Sequence, residues 1–507
     1  VSDGQNNIAF LATGAEGRLV AGALARSDRV TLLQCRETTD EVSLVNLNEE
    51  DRTPIGVSEE RDHIQGALTS FLQRTGNIDA VVVMAHTVQS RERPEGFTSL
   101  TTLFEKHFFL PLTWIKAALP SMIGAKKGVV IVIMPPSALA ANPRQPAMSC
   151  AYWALKRVCQ SLRAELQPFN ITVHLVFSPL AEADLAGSPG KRTAKLNTLA
   201  GRLRTILTNE KRGDGSLDWA GRWHHSIEHL FPDRGKWAKS SNGKRTYRER
   251  GVGGNRSALI TGASSGLGRE LARLYAPTVE ELHLVGRDHA ALEQVRQELT
   301  QTSNCMVNIA RLDLGDLRAV EAYAAAVGPV DLLINCAGYS VVGLVRDIPL
   351  DLFRRNMTVN FFAPVVLTEA FLHKSPAPRR IVNVLSTTAI AGRKKQSSYS
   401  ATKAALWAYT RILRQTAPAG TEVMEALPAT FTSNFADNVV DAESGERLGR
   451  SAVHRGQDRH GLTSELVAAR VYRASEHGCH CLFVPYKARL FHLLEVITPG
   501  LFQRMFP

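Results

Sequence analysis

Between residues 256 and 507, short apolar runs alternate with longer stretches of helical periodicity, the pattern of a parallel sheet covered by helices on both faces. SALITG at 257–262 reads as the first strand. HLVGR at 283–287, NIARLD at 308–313, DLLINCAG at 331–338, RIVNVLS at 380–386, TEVMEALPA at 421–429 and CHCLFVP at 479–485 follow as the second to seventh. The second to fifth are short and apolar, as buried strands of a doubly wound sheet must be. The first half repeats this plan: NIAFLATGAEG, RVTLLQCRE, IDAVVVMAH, GVVIVIMPP and NITVHLVFSP stand in the order and at the intervals of strands one, two, four, five and six. A period of about 250 residues is too long for a solenoid and indicates two complete domains. SSNGKRTYRERGVGGNRS, at 240–257, is polar, basic and glycine-rich, the composition of a flexible linker. The expected layout is one domain over 1–235, a linker over 236–255 and a second domain over 256–507.

The chain of 507 residues has room for two cores of that size. No run approaches the roughly 18 apolar residues of a membrane-spanning helix, and no secretory leader is expected. Seven cysteines, an odd number scattered from Cys35 to Cys481, form no disulfide framework; reduced thiols and a cytoplasmic location are expected. Cys479, His480 and Cys481 alternate along a strand, face opposite ways and have no second ligand cluster, so no metal site is expected. The net charge of +12 is local. Residues 187–256 hold sixteen Lys and Arg against six Asp and Glu, leaving about +2 for the rest. Without a ladder of stacking aromatics the segment reads as a solvated linker and loop rather than a nucleic-acid surface; its functional alternative is an attraction for phosphates or an acidic partner.

The loop TGASSGLG carries Thr261, Gly262, Ser264, Ser265, Gly266, Leu267 and Gly268 between the first strand and the helical RELARLYA. Glycines there let a pyrophosphate approach unpaired amides at a helix N-terminus. The second strand ends in Gly286 and Arg287 with no carboxylate to hold a ribose hydroxyl; the guanidinium suits a 2′-phosphate, so NADP(H) is favoured over NAD(H). Asp313, followed by Leu314, is placed to accept from an adenine amino group. Asn335, Cys336, Ala337 and Gly338 let the chain pass close under the adenine ribose.

Ser386, Tyr399 and Lys403 gather a hydroxyl, a phenol and an ammonium, with Tyr399 and Lys403 on one helical face. For Tyr399 to serve as an acid near neutral pH its phenol must come down from about 10, and the charge of Lys403 is expected to do this while the ammonium holds the nicotinamide ribose. Ser386 is expected to hold a carbonyl oxygen, and Asn360 to anchor a water that carries protons from Lys403.

With TGxxxGxG, NxAG and YxxxK in place, residues 256–485 resemble the short-chain dehydrogenase/reductase superfamily. The resemblance implies a seven-strand Rossmann-type domain, transfer of a nicotinamide hydride to or from a carbonyl carbon, and Asn360, Ser386, Tyr399 and Lys403 as the catalytic tetrad. After the sixth strand the family's Pro-Gly is replaced by Pro428-Ala429; Thr432 or Ser433 is then expected to bind the carboxamide.

The fold expected of the whole chain is α/β, two Rossmann-type doubly wound parallel-sheet domains in tandem with the C-terminal one catalytic. In the first half His107 stands for Asn360, Pro135 for Ser386, Met148 for Tyr399 and Tyr152 for Lys403. Tyr152 and Lys156 spell YxxxK in a rival frame, but SLRAEL at 161–166 matches the family's usual end of this helix only with position 148 at the tyrosine site. TGAEGRLVAG keeps Gly14 and Gly17 but loses the family's spacing. The first domain is expected to be a non-catalytic partner that packs on the second. In the tail, Leu490, Phe491, Leu494 and Ile497 recur at helical spacing, and Leu501, Phe502, Met505 and Phe506 follow a Pro-Gly break. It reads as a helix covering its own domain or the first half, with a membrane anchor or a wall for a long apolar substrate as the alternatives.

The expected activity is NADPH-dependent reduction of a ketone, with oxidation of an alcohol as its reverse. Polyketide ketoreductases likewise pair a degenerate half with a catalytic half, so the first domain and basic linker are a candidate dock for a carrier-bound substrate, through Lys191, Arg192, Lys211 and Arg212. A homo-oligomer is a further candidate assembly. Substrate choice is expected from the polar loop at 430–462.

Overall fold

The computed structural model describes residues 7–12, 20–21, 24–25, 29–35, 41–46, 55–58, 77–84, 97–135, 138, 140–178 and 189–208 of the first half. In the second half it describes 257–433, 435, 438–447 and 462–490. The linker at 236–255, Gly14, Gly17, Lys211, Arg212, the tail from Phe491 and parts of the loop at 430–462 lie outside the described residues. The chain divides into two units, Val1–Trp219 with Leu344–Arg346, and Ala220–Gly343 with Asp347–Pro507.

In the first unit, β1 (Asn7–Ala12), β2 (Arg29–Cys35), β3 (Glu41–Asn46), β4 (Ile55–Ser58), β5 (Ala80–Met84), β6 (Gly128–Met134) and β7 (Ile171–Phe177) form one sheet in the order β4-β3-β2-β1-β5-β6-β7. The five strands found in the sequence pair in parallel, but β3 and β4 are antiparallel additions at the edge. Only five residues separate Cys35 from Glu41, whereas a parallel return needs about a dozen for its crossover. This sheet is therefore mixed, not wholly parallel. Ile8, Phe10, Val82 and Ile131 pack with Leu199 and Leu203 of the helix Pro189–Thr208 in its core.

One continuous helical run, Leu100–Ala125, is 26 residues long and contains an 18-residue stretch of mean hydropathy 1.3, enough by length and composition to cross a membrane. The expectation that no such run exists is corrected. Of its apolar stretch 61% is buried within the structure, with Phe104, Phe108, Trp114 and Leu119 shielded from solvent, as in a core helix.

In the second unit, β8 (Ser257–Thr261), β9 (Glu281–Gly286), β10 (Met306–Arg311), β11 (Leu332–Asn335), β13 (Arg380–Val384), β14 (Glu422–Pro428) and β16 (Cys481–Val484) form an all-parallel sheet in the order β10-β9-β8-β11-β13-β14-β16. The seven strands are those the sequence predicts. A two-stranded ribbon, β12 (Val341–Val342) with β15 (Val440–Asp441), lies outside this sheet. Leu332, Leu333 and Ile334 are wholly buried in β11, because helices cover both faces of the sheet. The helix Gly266–Tyr275 buries Leu267, Leu271, Ala272 and Tyr275 along one stripe. Asp288, Asp316 and Thr463 cap the next helices, each side chain accepting from an amide three residues on. The strand order reverses between β8 and β11, which opens a crevice beyond their carboxyl ends.

Among the described residues, each unit has one wide helical turn of the π type. In the second, Thr358–Phe362 lies between the helices Leu350–Met357 and Ala363–Leu372; in the first, Glu105–Phe109 lies between Phe97–Phe104 and Leu110–Ala125. Asn360 and His107 are the third residues of these turns.

Candidate active site

The glycine loop closes on backbone, not on side chains. Gly262 holds φ +73°, its amide donates to Val285 O at 2.8 Å, and a Cβ there would lie 2.8 Å from Ala337 Cα. A Cβ on Gly268 would overlap the Gly262 carbonyl. Side chains at these two places would force the loop open, so the glycines form a cradle at the N-terminus of Gly266–Tyr275, where amides face an anion.

That cradle is one wall of a cavity of about 990 Å³. Gly262, Ser264, Ser265, Gly266, Leu267 and Gly268 line it, with Arg287, Asp313 and Leu314 as well. Ala337, Gly338, Ser386, Tyr399, Lys403 and Pro428 complete the predicted residues on its wall. Arg287 is exposed, and its Nη2 donates to Asn438 Oδ1 at 3.2 Å. Asp313 accepts from Arg355 at 2.8 Å and from the Gly315 amide at 2.9 Å. Burial works to raise its pKa, but the Gly315 amide and the Arg355 charge bring the carboxyl below its ordinary value.

Four predicted residues do not line the cavity. Thr261 is buried and does not line the cavity: its Oγ accepts from the Cys336 and Ala337 amides at 3.0 and 3.1 Å, pinning that crossing to β8. Asn335 also turns inward, donating to Asn383 Oδ1 at 2.8 Å and to Thr368 Oγ1 at 3.1 Å. Asn360 is fully buried. Its Oδ1 accepts from Tyr339 N, and its Nδ2 donates to Tyr339 O and Thr402 Oγ1, so its amide ties the Gly338–Tyr339 turn rather than reaching the cavity. Thr432 is held by backbone bonding, its amide donating to Leu462 O at 2.8 Å and its carbonyl accepting from Ser464 Oγ. Ser433, the other choice, lines the cavity. Ala429 in place of glycine is accommodated, since it is absent from the positive-φ residues and its amide donates to Val484 O at 2.6 Å.

Ser386, two residues beyond β13, caps a short 3-10 turn, its Oγ accepting from Thr388 N at 3.2 Å. Tyr399 and Lys403 are the third and seventh residues of the helix Ser397–Thr416. Lys403 Nζ donates to Val384 O at 2.9 Å and stands 5.8 Å from the centroid of the Tyr399 ring. A Cβ on Gly338 would come within 3.0 Å of Asn360 Oδ1 and 3.4 Å of Lys403 Nζ, which places these groups around one glycine.

The electrostatics differ from expectation. Burial pushes the Tyr399 phenol above its ordinary value, against a hydrogen bond with Ser386 that draws it down. Burial also lowers the Lys403 ammonium to about 8, opposed by Cys336. Burial of the phenol thus favours its protonated form.

The counterparts in the first unit can be matched by backbone alone. The helix Pro146–Leu166, like Ser397–Thr416, follows a glutamine, and its third and seventh residues are Met148 and Tyr152. The Ala138 amide donates to Pro135 O at 3.0 Å, as the Ala389 amide does to Ser386 O. His107 and Asn360 share the third position of the π turn. The frame that puts Met148 at the tyrosine position is thus the structural one. Its four residues offer no hydroxyl at the serine position, no phenol at the tyrosine position and no ammonium.

Several residues escaped the sequence reading. Phe435 packs its ring on that of Tyr399, centroids 5.6 Å apart. Thr388, Gln396, Lys394, Lys395 and Arg447 line the cavity. The basic run RKK ends four residues before Tyr399, a signal that was legible; Phe435 and Arg447 lie in the loop at 430–462 expected to set substrate choice, but which of its residues line the cavity was decided by loop closure.

The sequence matches the short chain dehydrogenase family twice, over residues 9–192 and 256–444. Dehydrogenase/reductase SDR family member 7B of Mus musculus is 32% identical over 263 residues, covering 50% of this chain and 80% of that protein. The protein of the same name from Xenopus tropicalis is 34% identical over 257 residues, covering 48% and 82%. Among solved structures, an N-terminal ketoreductase from the macrolactin assembly line is 11% identical with a TM-score of 0.58, covering 95% of this chain and 87% of that one; at that identity the likeness is one of fold.

Proposed function

The chain belongs to the short chain dehydrogenase family, and from that membership as an NAD(P)-dependent oxidoreductase we propose that its second unit reduces a ketone to a secondary alcohol with NADPH. The observation that carries the reading is the single cavity that joins the glycine cradle to Ser386, Tyr399 and Lys403. Its volume suits a dinucleotide and a small ketone together. The close approach of backbone at Gly262 and Gly268 fits a pyrophosphate, and the exposed Arg287 beyond the end of β9 fits a 2′-phosphate.

A bound nicotinamide would supply the hydride. Ser386 then donates a hydrogen bond to the carbonyl oxygen, and Tyr399, kept protonated by its burial, passes its proton to that oxygen as charge develops there. Lys403 recharges the phenol and orients the ribose. The first unit does no chemistry in this reading.

Fluorescence titration with NADPH and NADH, and NADPH oxidation with simple ketones, test the proposal. NADPH should bind more tightly, and Tyr399→Phe should lower kcat by about 10²-fold or more. Binding of neither nucleotide, or undiminished turnover in Tyr399→Phe, would overturn it.

A further inference from the structure

Lys394, Lys395 and Arg447 bring three exposed cations to the wall of the cavity that holds Ser386 and Tyr399. They come from two segments that the fold ties together. The Gly343 amide donates to Lys395 O at 3.0 Å, the Val440 amide donates to Ser340 O at 2.9 Å, and Val440 bridges to Arg447. Ala442 packs so closely on Gly343 that a Cβ at 343 would overlap it. Ribbon and loop therefore form one wall. Lys395 takes φ +63°, a left-handed conformation that a side-chain-bearing residue adopts only at an energetic cost. Lys395 lies four residues before Tyr399, so their Cα atoms are at most about 14 Å apart.

The carboxylates of this ribbon stand off the cavity itself. Asp441, which faces Lys395, is turned to the amides of Glu443 and Ser444 at 3.0 Å each. Neither it nor Glu443 or Glu446 lines the cavity. The carboxylates that do, among the described residues, are Asp288, next to Arg287 in the chain, and Asp313, within reach of the Arg287 charge.

Resting on the reductase reading, we propose that the ketone carries a phosphate group and that Lys394, Lys395 and Arg447 hold it at the cavity wall. Two ammonium groups and a guanidinium suit a dianion better than a single carboxylate. The phosphate belongs either to a small phosphorylated ketone or to the arm of a carried thioester.

The test measures NADPH oxidation with two matched pairs: hydroxyacetone phosphate against hydroxyacetone, and acetoacetyl-coenzyme A against the acetoacetyl thioester of N-acetylcysteamine. In at least one pair the phosphate-bearing member should have a kcat/KM about tenfold or more above its neutral partner, with the ratio shrinking as salt rises; which pair responds identifies the source. In the triple variant Lys394→Glu, Lys395→Glu, Arg447→Glu that ratio should fall toward one, a comparison that cancels any general loss of activity. The single variant Arg447→Gln should lower it partway and guards against a triple variant that does not fold. Equal kcat/KM within both pairs, or a ratio unchanged in both variants, overturns the proposal while leaving the reductase reading in place. Failure to bind NADPH overturns both.

Discussion

His107 and Tyr152 meet edge to face in the first unit, ring centroids 5.9 Å apart at 73°, in the positions that Asn360 and Lys403 occupy in the second. An amide and an ammonium have given way to an aromatic pair, and a polar site has become core. Tyr152 is 1% exposed. Tyr152→Lys would bury an ammonium without a carboxylate partner and should cost about 3 kcal/mol, read as a lower urea midpoint of the full chain. An unchanged midpoint would mean that this place is not core.

Lys403 should be a stability liability held for function. Its folded pKa of about 8 lies below its ordinary 10.5, so the folded protein releases this proton first. The buried charge therefore costs stability at every pH below about 8, and the cost is relieved as pH rises from 8 to 10.5. The full difference is on the order of 3 kcal/mol, less about 1 kcal/mol for the lost bond to Val384. Lys403→Met should be more stable than the parent at pH 7, by about 2 kcal/mol, with the gap closing above pH 8 and ketone reduction lost. Denaturation curves at pH 7 and 9.5 check the sign.

Gly268→Ala should damage nucleotide binding more than any surface change. The added Cβ meets backbone atoms, with Gly262 C only 2.7 Å away, so the loop itself must shift. NADPH affinity should fall about tenfold or more, with some loss of stability. Titration by fluorescence quenching reads this out, and unaltered affinity would place the pyrophosphate elsewhere.

Arg287→Ala separates the two nucleotides. The guanidinium stands at the end of β9 beside Asn438, and removing it should weaken NADPH about tenfold while changing NADH little. Equal losses for both would mean that Arg287 only shapes the wall.

The sequence by itself determined what depends on local spacing. It fixed the seven strands of the second unit, the glycine cradle, the serine-tyrosine-lysine set and the residues that replace it in the first unit, because strand periodicity, helical turns and tight turns are written in neighbouring residues. Tertiary structure decided where polar side chains spend their hydrogen bonds. Thr261, Asn335 and Asn360 sit within motifs, yet each turns inward to partners 21 to 76 residues away, since buried polar groups must be satisfied by whatever the fold brings near. Burial, likewise invisible in a motif, pushes the Tyr399 phenol up where the motif had suggested a lowered value. The antiparallel edge of the first sheet came from the length of a connection. The basic wall of the cavity came from the fold, which brings Arg447 to the same cavity as Lys394 and Lys395, across a separation that no sequence pattern spans.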